Sequence, residues 1–193
     1  MEEKFAYIEG AEQPIAMHPK KFALWLFIVS VVMIFASLTS AYIVRQAEGN
    51  WLEFELPSIF WYSSIVIVVS SLTLHFAYLA AKKDELSKLK VGMIVTSILG
   101  VVFLIMQWYS WVALVDREVF FVGNPAGSFL YVFTGLHAIH LISGVIFLII
   151  VLISSFGYKV HSRNMNAMEM CVTYWHFLGG LWLYLFMFLL LNH

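Results

Sequence analysis

An all-α bundle of five membrane-spanning helices is the fold this sequence predicts, and three observations predict it. Of 193 residues, 62% are hydrophobic and 12% are charged, against roughly 45–50% and about 25% in soluble domains. The mean hydropathy is +0.86, so the polar side chains needed to cover a water-facing surface are missing. The remaining charge is also segregated. Five apolar runs, at about 22–44, 58–81, 91–114, 128–153 and 171–191, hold no Asp, Glu, Lys or Arg. A hydrocarbon core about 30 Å thick takes about 20 helical residues, which is the length of these runs. Strands of alternating polarity are absent, so helices are the spanning form.

The domain organisation follows from the runs. Residues 1–19 form an N-terminal arm, polar and with four glutamates, and 20–193 form the five-helix domain. The arm does not read as a cleavable signal peptide, having no apolar core of its own. Lysine and arginine set the expected sidedness. Lys4, Lys20, Lys21, Lys82, Lys83, Lys88, Lys90, Lys159 and Arg163 lie on one side and only Arg45 and Arg117 on the other. That bias places the N-terminus in the cytoplasm and, after an odd number of spans, the C-terminus outside.

The first span, 22–44, is uniformly apolar and leads into a connection whose Glu53-Phe54-Glu55-Leu56 alternation reads as an interfacial strip. The second, 58–81, carries Ser63-Ser64, Ser70-Ser71 and Thr73, hydroxyls that bond back to helix carbonyls or across to a neighbour. His75, near its cytoplasmic end, reads as a snorkelling or packing residue. The third, 91–114, ends in Trp108, Tyr109 and Trp111. With Trp25, Trp51 and Trp61, these have the placement of interfacial aromatics.

The fourth and fifth spans hold the features that could carry chemistry. His137 and His140 are three apart in the fourth, and His176 lies in the fifth. An ionisable group inside a span is a functional candidate by default. At about 1.5 Å per residue, His140 lies roughly 18 Å below the outer surface and His176 roughly 8 Å above the inner one. These are matching depths in a slab about 30 Å thick, and paired haem ligation is therefore one reading. The other is that neutral imidazoles hydrogen-bond between helices, as polar side chains do in bilayers. Gly135, Ala138, Ser143 and Gly144 in the fourth span, and Gly179 and Gly180 in the fifth, permit close backbone approach. Both a contact with another subunit and packing inside the bundle account for them. Glu169 stands seven residues before His176, two turns away on about the same side. It reads either as an acid at the inner mouth of a proton route or as an interfacial carboxylate near Lys159 and Arg163.

Several function classes are excluded. A near-neutral chain, of net charge −1, has no basic face for nucleic acid. The single cysteine, Cys171, allows no disulfide framework and no dinuclear copper–thiolate centre, and reads as an inert buried thiol. The spans lack the buried charges that pumps use. Against a transporter, which stays a remote alternative and is not excluded, Gly179-Gly180 is the one candidate helix break where such sites need a pair.

Two segments carry a family resemblance. Phe133-Thr134-Gly135-Leu136-His137-Ala138-Ile139-His140 resembles the F-x-T-G-x-H-x-x-H segment of haem–copper oxidase subunit III. Tyr174-Trp175-His176-Phe177, followed by Leu181-Trp182-Leu183, resembles that family's Y-W-H-F…W-L segment, and Glu169 stands at the family's spacing before it. Leu99-Gly100 and Gln107 in the third span, and Leu26-Phe27-Ile28-Val29-Ser30 in the first, are similar too. The likeness runs from about Lys20 onward and is to the short, five-span bacterial form. The two additional spans of the longer form are missing, so its lipid-filled cleft does not carry over. Val31, Ser110 and Gly179 stand where many members have acidic residues, and proton roles of those acids do not carry over either.

The resemblance implies membership of a proton-translocating terminal oxidase that reduces O2 to water, in the bacterial cytoplasmic membrane. It implies no catalytic, cofactor-binding or metal-binding residue in this chain, with haem and copper held by partner subunits I and II. The implied partners are subunit I as the main contact, subunit II and membrane lipids, with other respiratory complexes left open. The implied role is to stabilise subunit I and to support proton uptake. His137, His140, Gly135, Gly144, Glu169, Trp175, His176 and Trp182 are the candidate helix-packing or subunit-contact residues. Cytochrome c is the favoured electron donor and quinol the alternative. A bis-histidine haem membrane cytochrome, and more remotely a small transporter, are the competing classes.

Overall fold

A computed structural model describes residues 18–49, 51, 54–156 and 165–192. Most of the N-terminal arm lies outside these residues, as do Glu53, Lys159, Arg163 and His193. The described chain forms five helices and no strand: α1 (Pro19–Ala47), α2 (Ile59–Lys82), α3 (Leu86–Val115), α4 (Pro125–Phe156) and α5 (Asn166–Asn192). Each contains an uncharged apolar stretch long enough to cross a bilayer. The chain is a multi-pass membrane protein.

Local sequence explains where the helices begin and end. Pro19 opens α1 with its fixed φ, and His18 Nδ1 accepts from Lys20 N at 3.3 Å. Asn124 Oδ1 accepts from Ala126 N at 3.1 Å ahead of Pro125, the first residue of α4. Two helices stop in paired backbone bonds around a residue in the left-handed region. At the end of α2, Glu85 N donates to Ala80 O and Asp84 N to Ala81 O, with Asp84 at φ 55°. At the end of α3, Val119 N donates to Leu114 O and Glu118 N to Val115 O, with Glu118 at φ 61°. Both are Schellman closures in which an acidic residue sits where glycine is usual. The first makes the α2–α3 connection tight enough for those helices to run as an antiparallel pair.

Helices α2 to α5 close into a ring: α2 against α3, α3 against α4, α4 against α5, and α5 back against α2. Helix α1 lies outside the ring in the furrow between α4 and α5. It buries only the stripe Ile28, Val31, Phe35, Thr39 and Tyr42, spaced three and four apart along one face. Apart from the half-buried Leu24 and Leu38, its other apolar side chains, Phe22, Trp25, Leu26 and Met33 among them, are exposed. That is the surface a membrane helix presents to lipid or to a neighbouring subunit.

Hydroxyls within the spans bond back to the preceding turn. Ser63 and Ser64 donate to Phe60 O, Ser70 to Ile67 O, and Ser110 to Met106 O. No water is available at depth to satisfy them, so the nearest carbonyl does. A direct bridge also joins Thr73 and Thr96 at 2.8 Å across α2 and α3.

Candidate functional site

The bundle is centred on two tryptophans two turns apart on α5. Trp175 is buried, and its Nε1 donates to Ser70 Oγ on α2 at 3.1 Å. Its ring enters a notch made by two glycines on other helices. A Cβ built at Gly100 on α3 would lie 2.6 Å from Trp175 Cη2. One built at Gly144 on α4 would lie 3.5 Å from Trp175 Cε3 and 2.7 Å from Leu178 Cδ1. One indole therefore touches α2, α3 and α4 at once, and glycine is needed where it enters. Trp182 repeats the arrangement. Its Nε1 donates to Ser64 Oγ at 3.0 Å, while its ring packs against Phe60, Phe103 and His137. A third indole, Trp111 on α3, donates to Thr134 Oγ1 on α4 at 3.0 Å. Tyr174 joins α5 to α4, its hydroxyl 2.7 Å from Ser143 Oγ.

The histidines take different positions from one another. Three residues along a helix leave side chains about 60° apart in azimuth, and that offset separates His137 from His140. His137 points inward, has no exposed surface, and lies between Phe103 and Trp182 at centroid distances of 5.9 and 5.2 Å. Neither of its nitrogens has a hydrogen-bond partner among the described residues. His140 turns to α1, where Phe27 and Phe35 flank its ring at 6.2 and 5.9 Å. Its Nδ1 lies 2.7 Å from Leu136 O, an acceptor, so Nδ1 carries the proton. Val31, buried in the α1 stripe, is four residues from each of those phenylalanines. His176 faces α2, with His75 at 6.1 Å, in a groove of about 420 Å³ also lined by Ser71, Leu72, Gly179 and Gly180.

This geometry revises three expectations. Interhelical hydrogen bonds expected of the histidines are made instead by tryptophans and a tyrosine, and the one bond of His140 stays within its own helix. His140 and His176, matched in depth, face α1 and α2 respectively and do not converge. The small residues divide: Gly144 and Gly179 are close-approach sites inside the bundle, whereas Gly135 would meet only Trp111 Cζ2 at 4.0 Å and Gly180 nothing within 4 Å. Among the described residues no three of His, Cys, Asp and Glu are grouped as a metal site would require.

Glu169 lies in the first turn of α5, where the helix dipole favours a carboxylate. Its Oε2 is 2.5 Å from Lys21 Nζ, and both side chains are about one-third exposed. The pair ties the start of α1 to the start of α5. Lys21, Ser64, Ser70, Gly100 and Tyr174 thus belong to the site; the sequence marked Lys21 only for sidedness, the serines only as bonding hydroxyls, and Gly100 and Tyr174 only within the family likeness, and did not join them to the candidate residues. A signal was present: tryptophans at i and i+7 on one helix, and serines six apart on another running antiparallel to it.

Comparison with known proteins gives the site its setting. The family model described as Cytochrome c oxidase subunit III matches residues 3–192. The chain belongs to the cytochrome c oxidase subunit III family. A probable cytochrome c oxidase subunit 3 of Nocardia farcinica is 30% identical over 171 residues, 83% of this chain and 82% of the relative. The cytochrome c oxidase subunit 3 of Synechocystis is 30% identical over 180 residues, 88% and 75% of the two chains. A probable quinol oxidase subunit 3 of Staphylococcus saprophyticus is 24% identical over 172 residues, 86% and 85%. As a subunit III, the chain is part of a haem–copper oxidase complex and has other oxidase subunits as neighbours. The family segments coincide with the bundle centre: Thr134 accepts the Trp111 bond, and Trp175 and Trp182 are the two α5 clasps.

Proposed function

We propose that this chain is the non-catalytic subunit III of a cytochrome c oxidase in the bacterial cytoplasmic membrane, with its N-terminus in the cytoplasm and its C-terminus outside. It clasps and stabilises subunit I, with subunit II and lipids as further contacts, while subunits I and II hold the haem and copper. The carrying observation is that the family's most distinctive side chains are committed to holding helices together. Trp175 and Trp182 bind serines of α2, and His140 packs on α1. Gly135, with its open side, and His176, in its outward groove, are the candidate contact residues with room to meet a neighbour.

Support for proton uptake is assigned to the basic end of the bundle, where Glu169 pairs with Lys21. A quinol donor is the second reading, favoured by the S. saprophyticus relative. A copper–thiolate centre in the companion subunit II separates the two: present for cytochrome c, missing for quinol.

The test is His140→Leu in the assembled oxidase. Loss of the imidazole from the α1 contact loosens retention of this subunit and leaves the haem spectrum unchanged. A lost or shifted haem band in an otherwise intact complex would overturn the proposal.

A further inference from the structure

The α3–α4 connection, residues 116–124, contains three consecutive exposed apolar residues, Phe120, Phe121 and Val122, the last 80% exposed. Such a tip is costly in water, and nothing in the bundle packing requires it. We propose that Phe120–Val122 is a membrane-interface anchor, inserted into the lipid leaflet at this end of the bundle. The inference rests on the helices crossing the membrane and is independent of the oxidase role.

Three features of the loop point to lipid. The first is continuity with the membrane-facing surface. Phe121 lies 6.2 Å from Tyr131, Tyr131 lies 6.4 Å from Trp111, and Trp111 lies 6.1 Å from Trp108, centroid to centroid. This row runs from the tip down to an exposed tryptophan on the flank of α3, in the manner of an interfacial aromatic belt.

The second is depth. Helices of 30 and 32 residues are about 45 Å long or slightly more, which reaches through the headgroup zone as well as the hydrocarbon. The turn that joins them therefore lies at the interface. The chain then folds back: the Phe121 ring meets Tyr131, six residues inside α4, and is thereby directed toward the hydrocarbon.

The third is the backbone. A non-helical segment entering lipid must satisfy its own carbonyls, because no water does so there. Ser128 Oγ donates to Phe121 O at 2.5 Å and Tyr131 Oη to Val119 O at 3.0 Å. Phe120 O lies close over Gly127, where an added Cβ would come within 2.9 Å. The loop is thus tied to α4 through Val119 O and Phe121 O, while the side chains of Phe120, Phe121 and Val122 stay exposed. Arg117 is drawn the other way, its Nη1 donating to Glu55 O at 3.1 Å.

Cys171, the one native thiol of the chain, is buried. A cysteine placed at position 122 is then the accessible thiol of this subunit. The oxidase carrying Val122→Cys, with a bimane fluorophore on that thiol, is reconstituted into liposomes and read with two quenchers. One is phospholipid brominated on its acyl chains and the other is aqueous iodide. The same label at Lys83→Cys, an exposed position in the α2–α3 turn at the opposite end of α3, gives the water-accessible reference, with iodide present on both sides of the membrane. The expected result is severalfold quenching by bromolipid at position 122, with iodide quenching well below the reference. Iodide quenching equal to the reference places the tip in water, and no quenching by either agent places it under another subunit. Each of those outcomes overturns the proposal. Phe120→Cys, read in the same way, guards against a perturbation peculiar to position 122.

Discussion

Gly100→Ala is the most informative single change, because it adds one methyl where the Trp175 ring enters the bundle. The new Cβ would lie 2.6 Å from Trp175 Cη2, 3.2 Å from its Cζ2 and 3.1 Å from Val145 Cγ2, whereas ordinary contact begins near 3.4 Å. The shortfall against the indole, 3.4 less 2.6, is about 0.8 Å. An indole is rigid and cannot yield by rotating a terminal bond, so the whole ring or helix α5 must move. A movement of that size spoils the bond from Nε1 to Ser70 Oγ, now 3.1 Å. Overpacking costs about 1–3 kcal/mol. A hydrogen bond between membrane helices adds about 0.6 to 1.7 kcal/mol. The expected loss is therefore about 2–4 kcal/mol, a roughly thirtyfold to thousandfold shift in an equilibrium constant. It is read as the SDS concentration, or the temperature, at which this subunit leaves the purified oxidase. Gly180→Ala is the control, since nothing lies within 4 Å of its added Cβ. Equal behaviour of the two variants would refute the claim that Trp175 is clamped at Gly100.

Four smaller predictions follow from the same packing. Ser70→Ala removes the acceptor of Trp175 and lowers resistance to SDS by about 1 kcal/mol, with Ser70→Thr restoring most of it. Lys21→Glu repels Glu169 and loosens α1, whereas the exchange Lys21→Glu with Glu169→Lys recovers the lost retention. The effect is at most about 1 kcal/mol and shrinks in high salt, because both side chains are partly exposed. His137→Phe is neutral or stabilising by up to about 1 kcal/mol in the same assay, since it replaces two unpartnered buried nitrogens with apolar ring atoms. A loss above about 2 kcal/mol would instead reveal a partner for that imidazole. Glu118→Gly raises stability by up to about 1 kcal/mol, because a side chain at φ 61° is relieved of its left-handed strain.

The five helices were legible because charge exclusion from hydrocarbon is absolute enough to be seen in a single sequence. All five are present, and four run several residues beyond their apolar runs: Pro19 and Asn124 set the starts of α1 and α4, whereas the Schellman closures stop α2 and α3 within one residue of where hydropathy ends. The importance of Trp175 and Trp182 was legible only through the family likeness. Their partners were legible only in kind: the paired serines read as bonding to carbonyls or across to a neighbour and Gly100 as part of the likeness, but which indole each one meets emerges only when the helices are set side by side. The neighbours of the histidines were hidden for a related reason. A polar residue at depth announces that it needs an explanation, but not which neighbour it faces. His140 satisfies itself on Leu136 O in its own helix, and His137 is enclosed by aromatic rings. The Lys21–Glu169 pair joins positions 148 apart in the chain, a distance over which charge patterning along one helix carries no information.

The most direct test is to strip this subunit from the purified oxidase with detergent, separate the two fractions, and record the visible spectrum and metal content of each. The expected result is that all haem and copper stay with the remaining complex and the released chain shows no Soret band. Haem or copper travelling with the released chain in fixed proportion would contradict a subunit that holds no redox centre.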